Sequence, residues 1–158
     1  MFEVLVFVYE NYWRGDACPE LQQLGRKLSA HGFEPDEIQQ ALAWLDGLTL
    51  AAQTTQSPAA DAPTACPSPH SMRVYSVAEQ DHLGAQSLGF ISFLESSGVL
   101  DPGLRELVVD RAMAAPGGPV SLDELKIIVL MAYWSMGREP DALVLDELCD
   151  DSSGRLPH

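Results

Sequence analysis

Residues 31–48, HGFEPDEIQQALAWLDGL, hold the end of one predicted helix, a short turn and the start of a second helix. Gly32 suits the C′ position after a helix, because glycine adopts positive φ without strain. Pro35 suits the first turn of the next helix, whose positive end is favourable for nearby carboxylates. The apolar residues that follow at helical spacing predict one buried stripe, formed by Ile38, Ala41, Leu42 and Leu45. The stretch therefore predicts two helices joined by a tight turn, an outline shared with helix-turn-helix DNA readers.

The chemistry of this turn disfavours direct reading of DNA. A DNA-reading helix presents Arg, Lys, Asn or Gln to base edges and has basic neighbours on the phosphates. Here the leading turns present the carboxylates of Asp36 and Glu37, and residues 19–48 hold two basic side chains, Arg26 and Lys27, against five acidic ones. We expect a packed helix pair, or one adapted to bind protein. Direct nucleic-acid binding through this segment is kept as the alternative.

The composition of the whole chain agrees with this expectation. The chain has 158 residues, of which 46% are hydrophobic, which is enough for one compact domain or two small ones with a true core. Nine Lys and Arg against 23 Asp and Glu give a net charge of −14. Such a field opposes binding to nucleic acid or an anionic membrane and favours a basic partner.

The cysteines and the longest apolar runs predict a soluble cytoplasmic protein. Three cysteines at irregular spacing do not form a disulfide framework. The apolar start MFEVLVFVYENYW lacks a preceding basic residue and contains Glu3, which is unlike a secretory signal. The longest apolar run, IIVLMAYW at residues 127–134, has eight residues, whereas a bilayer needs roughly 20.

A proline-rich segment predicts how the chain is divided. Residues 53–70, QTTQSPAADAPTACPSPH, hold four prolines and one charge, which is typical of a flexible linker. We predict an N-terminal helical unit at 1–52, a C-terminal helical unit at 71–151 and a tail at 152–158. Three basic and eight acidic residues precede the linker, and six basic and 14 acidic residues follow it, so both units are acidic.

The remaining patterns predict an all-α protein with about seven helices. Residues 2–13 fit a helix buried on several sides, although their β-branched residues leave a strand open. A second helix carries an apolar stripe at Leu21, Leu24 and Leu28. The capping boxes Ser76–Glu79 and Ser121–Glu124 predict two further helix N-termini. Asp101 before Pro102 predicts another. The helix from 122 to 136 is apolar nearly all round and should be central in the C-terminal unit, and a last helix should span 140–148.

No motif points to catalysis, a metal or another cofactor. The sequence contains no G-x-S-x-G, P-loop, G-x-G-x-x-G or H-E-x-x-H pattern. Cys66 and His70 have a ligand-like gap but no second pair to complete a zinc site. We therefore expect a non-enzymatic protein without cofactor, and an enzyme with an unrecognised site is the further alternative.

Two acidic groups are candidates for binding a basic protein. One is the leading face of the third predicted helix, with Asp36, Glu37 and Gln40. The other is the chain end DALVLDELCDDSSGRLPH, where carboxylates oppose the helix dipole and a basic partner would explain them: Asp146, Glu147, Asp150 and Asp151. A solvated, frayed end is the competing interpretation. Trp13, Trp44, Trp134 and Tyr133 fit a core before an interface.

The order of segments resembles the proteobacterial Smg family. The most recognisable pieces are MFEVLVFVYENY, GFEPDEIQQALAWLDGL, SMRVYSVAEQDHL, GFISFLESSGVLD, LRELVVDRAMA and SLDELKIIVLMAYW. The resemblance as a whole extends over nearly all of the chain outside the linker. The resemblance implies a small cytoplasmic bacterial protein of largely unassigned function, often encoded near a DNA-processing protein and a topoisomerase-like zinc-finger protein. It implies no catalytic residues.

Within the most recognisable of these pieces, SMRVYS, Arg73 and Tyr75 are further candidates for binding a protein. The structural interpretation places Tyr75 over the core and pairs Arg73 with a carboxylate. The function that we predict is a helical protein-binding adaptor or regulator, with a basic or DNA-processing protein as its partner.

Overall fold

The computed structural model describes residues 1–12, 20–56 and 72–141, together with Val144, Asp146 and Leu148. These residues form six helices and no strand, which confirms the all-α prediction. The helices are α1 (Phe2–Tyr12), α2 (Leu21–Ala30), α3 (Pro35–Gln56), α4 (Val77–Ser96), α5 (Pro102–Met113) and α6 (Leu122–Ser135). In the predicted last helix, Val144, Asp146 and Leu148 are helical, and the other residues from 142 to 148 lie outside the described part.

The predicted capping residues begin three of the helices. Ser76 and Ser121 each accept the N3 backbone N–H, and Glu79 and Glu124 accept the N-cap N–H in return, so both capping boxes are complete. Asp101 accepts the N–H of Leu104 at 2.9 Å, one residue ahead of Pro102. At the end of α2, Gly32 has φ of +91°, as its predicted C′ position requires.

The first segment of the chain is a helix and not a strand. Val4, Leu5 and Val8 of α1 are fully buried. α1 packs on α6 and α3, so its apolar residues face helices on more than one side. Burial in this position outweighs the β preference of the branched residues, since packing and not intrinsic propensity stabilises most helices.

α6 lies at the centre of the whole fold, which goes beyond the central place in the C-terminal unit that its apolar sequence predicts. It packs against α1, α3, α4 and α5, and every residue from 128 to 133 is buried. α3 also packs on α5, so helices from both predicted units share one core. The division into two units and a linker remains a prediction: residues 53–56 belong to α3, and residues 57–70 lie outside the described part.

Two aromatic residues donate hydrogen bonds between distant parts of the chain, and the bond from Trp44 joins the two halves. Trp44 of α3 is buried, and its indole N–H donates to the carbonyl of Arg111 near the end of α5 at 2.9 Å. Tyr133 is buried on α6, and its hydroxyl donates to the carbonyl of Val99. Trp134 is half-buried against the core, and Trp13 lies outside the described residues. The core assignment is therefore confirmed for Trp44 and Tyr133.

A break inside α4 was not predicted from the sequence. Gly84 has φ of +71° and ψ of 167°, which no helix contains. The break leaves the carbonyl of His82 free to accept the N–H of Val120 at 2.7 Å, and the Ser87 hydroxyl donates to the carbonyl of Val120 at 3.2 Å. The loop between α5 and α6 is thereby attached to α4 at its bend.

Candidate functional site

The candidate site is the surface segment Met72–Val77, which precedes α4 and enters its first turn. Its side chains alternate: Met72 and Val74 are 90% and 87% exposed, whereas Arg73 and Tyr75 are half-buried. Val77 is 73% exposed. Alternation with a period of two is the pattern of extended backbone, which places Arg73 and Tyr75 on the inner side and the apolar residues outward.

Arg73 attaches this segment to two helices. Its guanidinium donates to both oxygens of Glu79 on α4, Nη2 to Oε1 at 2.8 Å and Nη1 to Oε2 at 3.3 Å. Its Nε donates to Oε1 of Glu106 on α5 at 2.8 Å. Bidentate pairing of this kind fixes direction as well as distance. Arg73 thus holds the segment in one position on the surface.

The positive charge of Arg73 and the negative charges of Glu79 and Glu106 attract one another. The hydrogen bonds from Arg73, together with the Ser76 N–H, lower the pKa of Glu79 from 4.5 to about 2. The hydrogen bonds to Glu79 and Glu106 raise the pKa of Arg73 above its ordinary value, so that it stays charged. Glu79 therefore closes the capping box of α4 and binds Arg73 at the same time.

The side chain of Tyr75 lies between the backbone of the segment and the core. The Cζ atom of Arg73 is 4.4 Å from the centre of its ring, a cation–π distance. The ring packs against the buried core, and burial raises the pKa of its phenol. These contacts agree with the structural interpretation of the SMRVYS piece, in which Tyr75 covers the core and Arg73 pairs with carboxylates.

A second arginine extends the ion-pair network. Arg105 of α5 donates to Glu95 of α4 and, through Nη2 at 2.9 Å, to Oε1 of Glu106. Glu106 Oε1 therefore accepts from both arginines. Two arginines face three glutamates, so the network keeps one net negative charge beside the surface segment.

The other predicted binding residues lie apart from this network. Asp36 and Gln40 are exposed at the start of α3, and Glu37 pairs with the N-terminal amine of Met1 at 3.3 Å. Asp146 is exposed, whereas Glu147, Asp150 and Asp151 lie outside the described residues. No described hydrogen bond or ion pair connects Asp36, Glu37 or Gln40 to Arg73 or Tyr75. Their binding roles stay predictions.

Sequence reasoning singled out Arg73 and Tyr75 but missed Met72, Val74 and Val77. The described chain exposes six large hydrophobic side chains, and these three fall within six residues. The signal was the alternation itself, because apolar residues at 72 and 74 flank a charged one. The partners of Arg73 on α4 and α5 determine which side chains of the segment face outward.

The structure also contains a cavity of about 320 Å³ between α3 and the end of α6. The described residues that line it include Leu45, Leu48, Thr49 and Trp134, and none of them is acidic, basic, a histidine or a cysteine. The Thr49 hydroxyl donates to the carbonyl of Leu45 within its own helix. The described lining thus offers no acid, base or thiol nucleophile to a reaction.

Two further features of the described residues bear on the class of protein. They contain no group of three or more histidine, cysteine or carboxylate side chains arranged to hold a metal ion. None of the helices they form has the length and apolar character needed to cross a bilayer.

The six helices of the described residues share one core and carry an ion-paired extended segment on the surface, which defines a small all-α protein of acidic composition. The chain belongs to the family described as "Protein of unknown function (DUF494)", whose model matches residues 1–158. The Smg resemblance is thereby confirmed, since curated relatives carry the name "Protein Smg homolog". One from Leptothrix cholodnii is 60% identical over 161 residues, and one from Methylibium petroleiphilum is 58% identical over 158 residues. A third, from Bordetella avium, is 49% identical over 160 residues, and each alignment covers all of both chains. No solved structure matches the chain.

Proposed function

We propose that the chain is a non-enzymatic adaptor or regulator that binds a basic protein through the surface segment Met72–Val77. The observation that carries the proposal is the exposure of Met72, Val74 and Val77 on a segment held in place by ion pairs. Exposed apolar side chains that are grouped and rimmed by polar residues mark interaction sites on soluble proteins.

The order of the segment favours binding over accidental exposure. An interface that is already held in its bound shape loses less conformational entropy when a partner docks. Arg73 supplies that order through Glu79 and Glu106, and Tyr75 supplies it through the core. The backbone that carries the exposed apolar side chains is therefore held in place before a partner binds.

The charge of the chain favours a basic partner. The net charge is −14, and the network beside the segment holds three glutamates against two arginines. Complementary charge speeds encounter and selects among partners. A role beside a DNA-processing protein is part of the proposal and rests on the gene neighbourhood that the Smg resemblance implies.

The same charges favour protein over nucleic acid as the ligand. On the α2–α3 pair, Arg26 and Lys27 are exposed on α2, but Glu34 and Asp36 are exposed at the start of α3. Phosphate oxygens would meet these carboxylates before any base edge. The helix pair therefore supports the adaptor proposal better than direct reading of DNA.

The test is purification of the tagged chain from its own host, with nuclease, at about 0.1 M and about 0.5 M salt. We expect a protein that survives nuclease and whose yield falls at the higher salt. The triple variant M72S/V74S/V77S should lower that yield by about tenfold or more, because three apolar contacts are lost.

The matched control is the double variant L50S/F93S. Leu50 and Phe93 are 67% and 56% exposed but lie elsewhere, on α3 and α4, so this variant should leave the yield unchanged. Full retention of the partner by the triple variant would contradict the proposal. Loss of the partner after nuclease would show that nucleic acid was the bridge.

A further inference from the structure

We infer that the partner binds residues 72–75 as an added β-strand, in the form of an extended segment that alternates apolar and basic side chains. This inference rests on the proposed function and names the chemistry and geometry of the occupant.

The backbone groups of residues 72–74 make no backbone–backbone hydrogen bond within the described chain. The carbonyl of Tyr75 accepts the side-chain amide of Gln80 at 2.8 Å, which closes the end of the segment next to α4. Free N–H and C=O groups on an extended stretch form a template on which another chain can pair.

The side chains define what can lie on this edge. Residues of a strand alternate between two faces, so Arg73 and Tyr75 point to the protein while Met72 and Val74 point away from it. A neighbouring strand about 4.8 Å away would place its own apolar residues beside Met72 and Val74. Its intervening side chains would face Glu106, which is half exposed beside Arg73, and these should be basic.

The same charge disfavours a second copy of this chain as the occupant. Each copy carries −14, and its segment lies beside the same glutamates, so pairing of two copies would bring like charges together. Arg73 is held by two carboxylates within its own chain. A basic extended segment of another protein satisfies both the backbone edge and the charge.

The experiment uses the full chain and a defined probe, the peptide Lys-Val-Lys-Val-Lys-Val-Lys with blocked ends. We expect saturable binding, with exchange of the amide hydrogens at 73–75 slowed by about tenfold or more, because these N–H groups enter a ladder. The same peptide methylated on every backbone nitrogen keeps its side chains and charge but cannot donate backbone hydrogen bonds. It should bind at least about tenfold more weakly.

Two controls separate strand addition from charge attraction. The peptide Glu-Val-Glu-Val-Glu-Val-Glu should bind at least about tenfold more weakly than the lysine peptide. The chain variant M72S/V74S should bind the lysine peptide more weakly, and L50S/F93S should bind it as the unaltered chain does. Equal binding of the methylated peptide, or no slowing at 73–75, would overturn the inference, as would the absence of any binding.

The peptide experiment tests the geometry of binding, and the purification experiment tests where the partner binds, so the two can fail separately. If the methylated peptide binds equally well but the host partner is still lost from M72S/V74S/V77S, the surface binds a partner by another geometry. If that triple variant retains the partner, the surface is not the docking site, and both statements fall.

Discussion

At the scale of single residues, the carboxylate of Glu79 has two tasks, closing the capping box of α4 and holding Arg73. The first task needs only an acceptor for the Ser76 N–H, and a glutamine can provide it. The second needs a negative charge. The two tasks can therefore be separated by the substitution Glu79→Gln, which keeps an acceptor and removes the charge.

We predict that Glu79→Gln lowers the free energy of unfolding by about 1 kcal/mol at pH 7, a value that allows for solvent screening of a surface pair. The pKa of Glu79 is about 2 in the folded chain and 4.5 ordinarily. Between these values the unfolded state binds a proton that the folded state does not, so this stability is present above pH 4.5 and is lost as the pH falls toward 2. Urea unfolding at pH 7, 4 and 2.5 measures the difference.

The control for this charge is Asp46→Asn at an exposed position of α3. It should change the free energy of unfolding by less than about 0.5 kcal/mol. If the difference between Glu79→Gln and the unaltered chain stays constant from pH 7 to pH 2.5, the carboxylate is not held by Arg73 in the way described.

At the scale of single elements, α4 shows which features of a helix are local. Its start follows from Ser76 and Glu79, three residues apart, and both are visible in the sequence. Its break at Gly84 is not visible, because an isolated glycine inside a helical pattern is usually tolerated. The break is accompanied by the contact between His82 and Val120, which are far apart in the chain.

We predict opposite effects for alanine at the two glycines of α4. A Cβ at Gly84 would meet nothing within 4 Å, so its cost is conformational: φ of +71° with ψ of 167° strains alanine by about 1–3 kcal/mol. Gly89 also has open space and lies in regular helix, where alanine should stabilise by about 0.5–1 kcal/mol. Urea unfolding of both variants checks this. Two changes of the same sign would refute the bend at Gly84.

At the scale of the whole molecule, the core belongs to both halves of the chain. α1 packs on α6, and α3 packs on α5. The two helices of each pair lie on opposite sides of residues 57–71 in the sequence. The Trp44 indole adds a hydrogen bond from α3 to α5. Elements that share a core of this kind are expected to unfold together.

We predict that Leu5→Ala in α1 destabilises the entire chain by about 2–5 kcal/mol, because Leu5 is fully buried and its removal leaves a cavity. Far-UV circular dichroism in urea should show one transition that shifts as a whole, and tyrosine and tryptophan fluorescence should follow it. Leu50→Ala, at a side chain 67% exposed, should change stability by no more than about 0.5 kcal/mol. Two separate transitions would mean that the halves unfold independently.

The candidate site was predictable in part. The sequence pointed to Arg73 and Tyr75 and to their structural interpretation, since an arginine in so acidic a chain has many possible carboxylate partners. It did not reveal that Glu106, 33 residues away, would be one of them. Without that partner the outward face of the segment is undefined, so the exposure of Met72 and Val74 could not be foreseen.

The sequence by itself determined the helical class, most helix limits and the acidic character of this protein. These depend on caps, prolines and apolar spacing, which act between residues a few positions apart. Only the tertiary structure decided the bend at Gly84 and the outward face of residues 72–77. Each of these depends on neighbours from distant helices. Their positions follow from how the helices pack, and local propensity does not encode that packing.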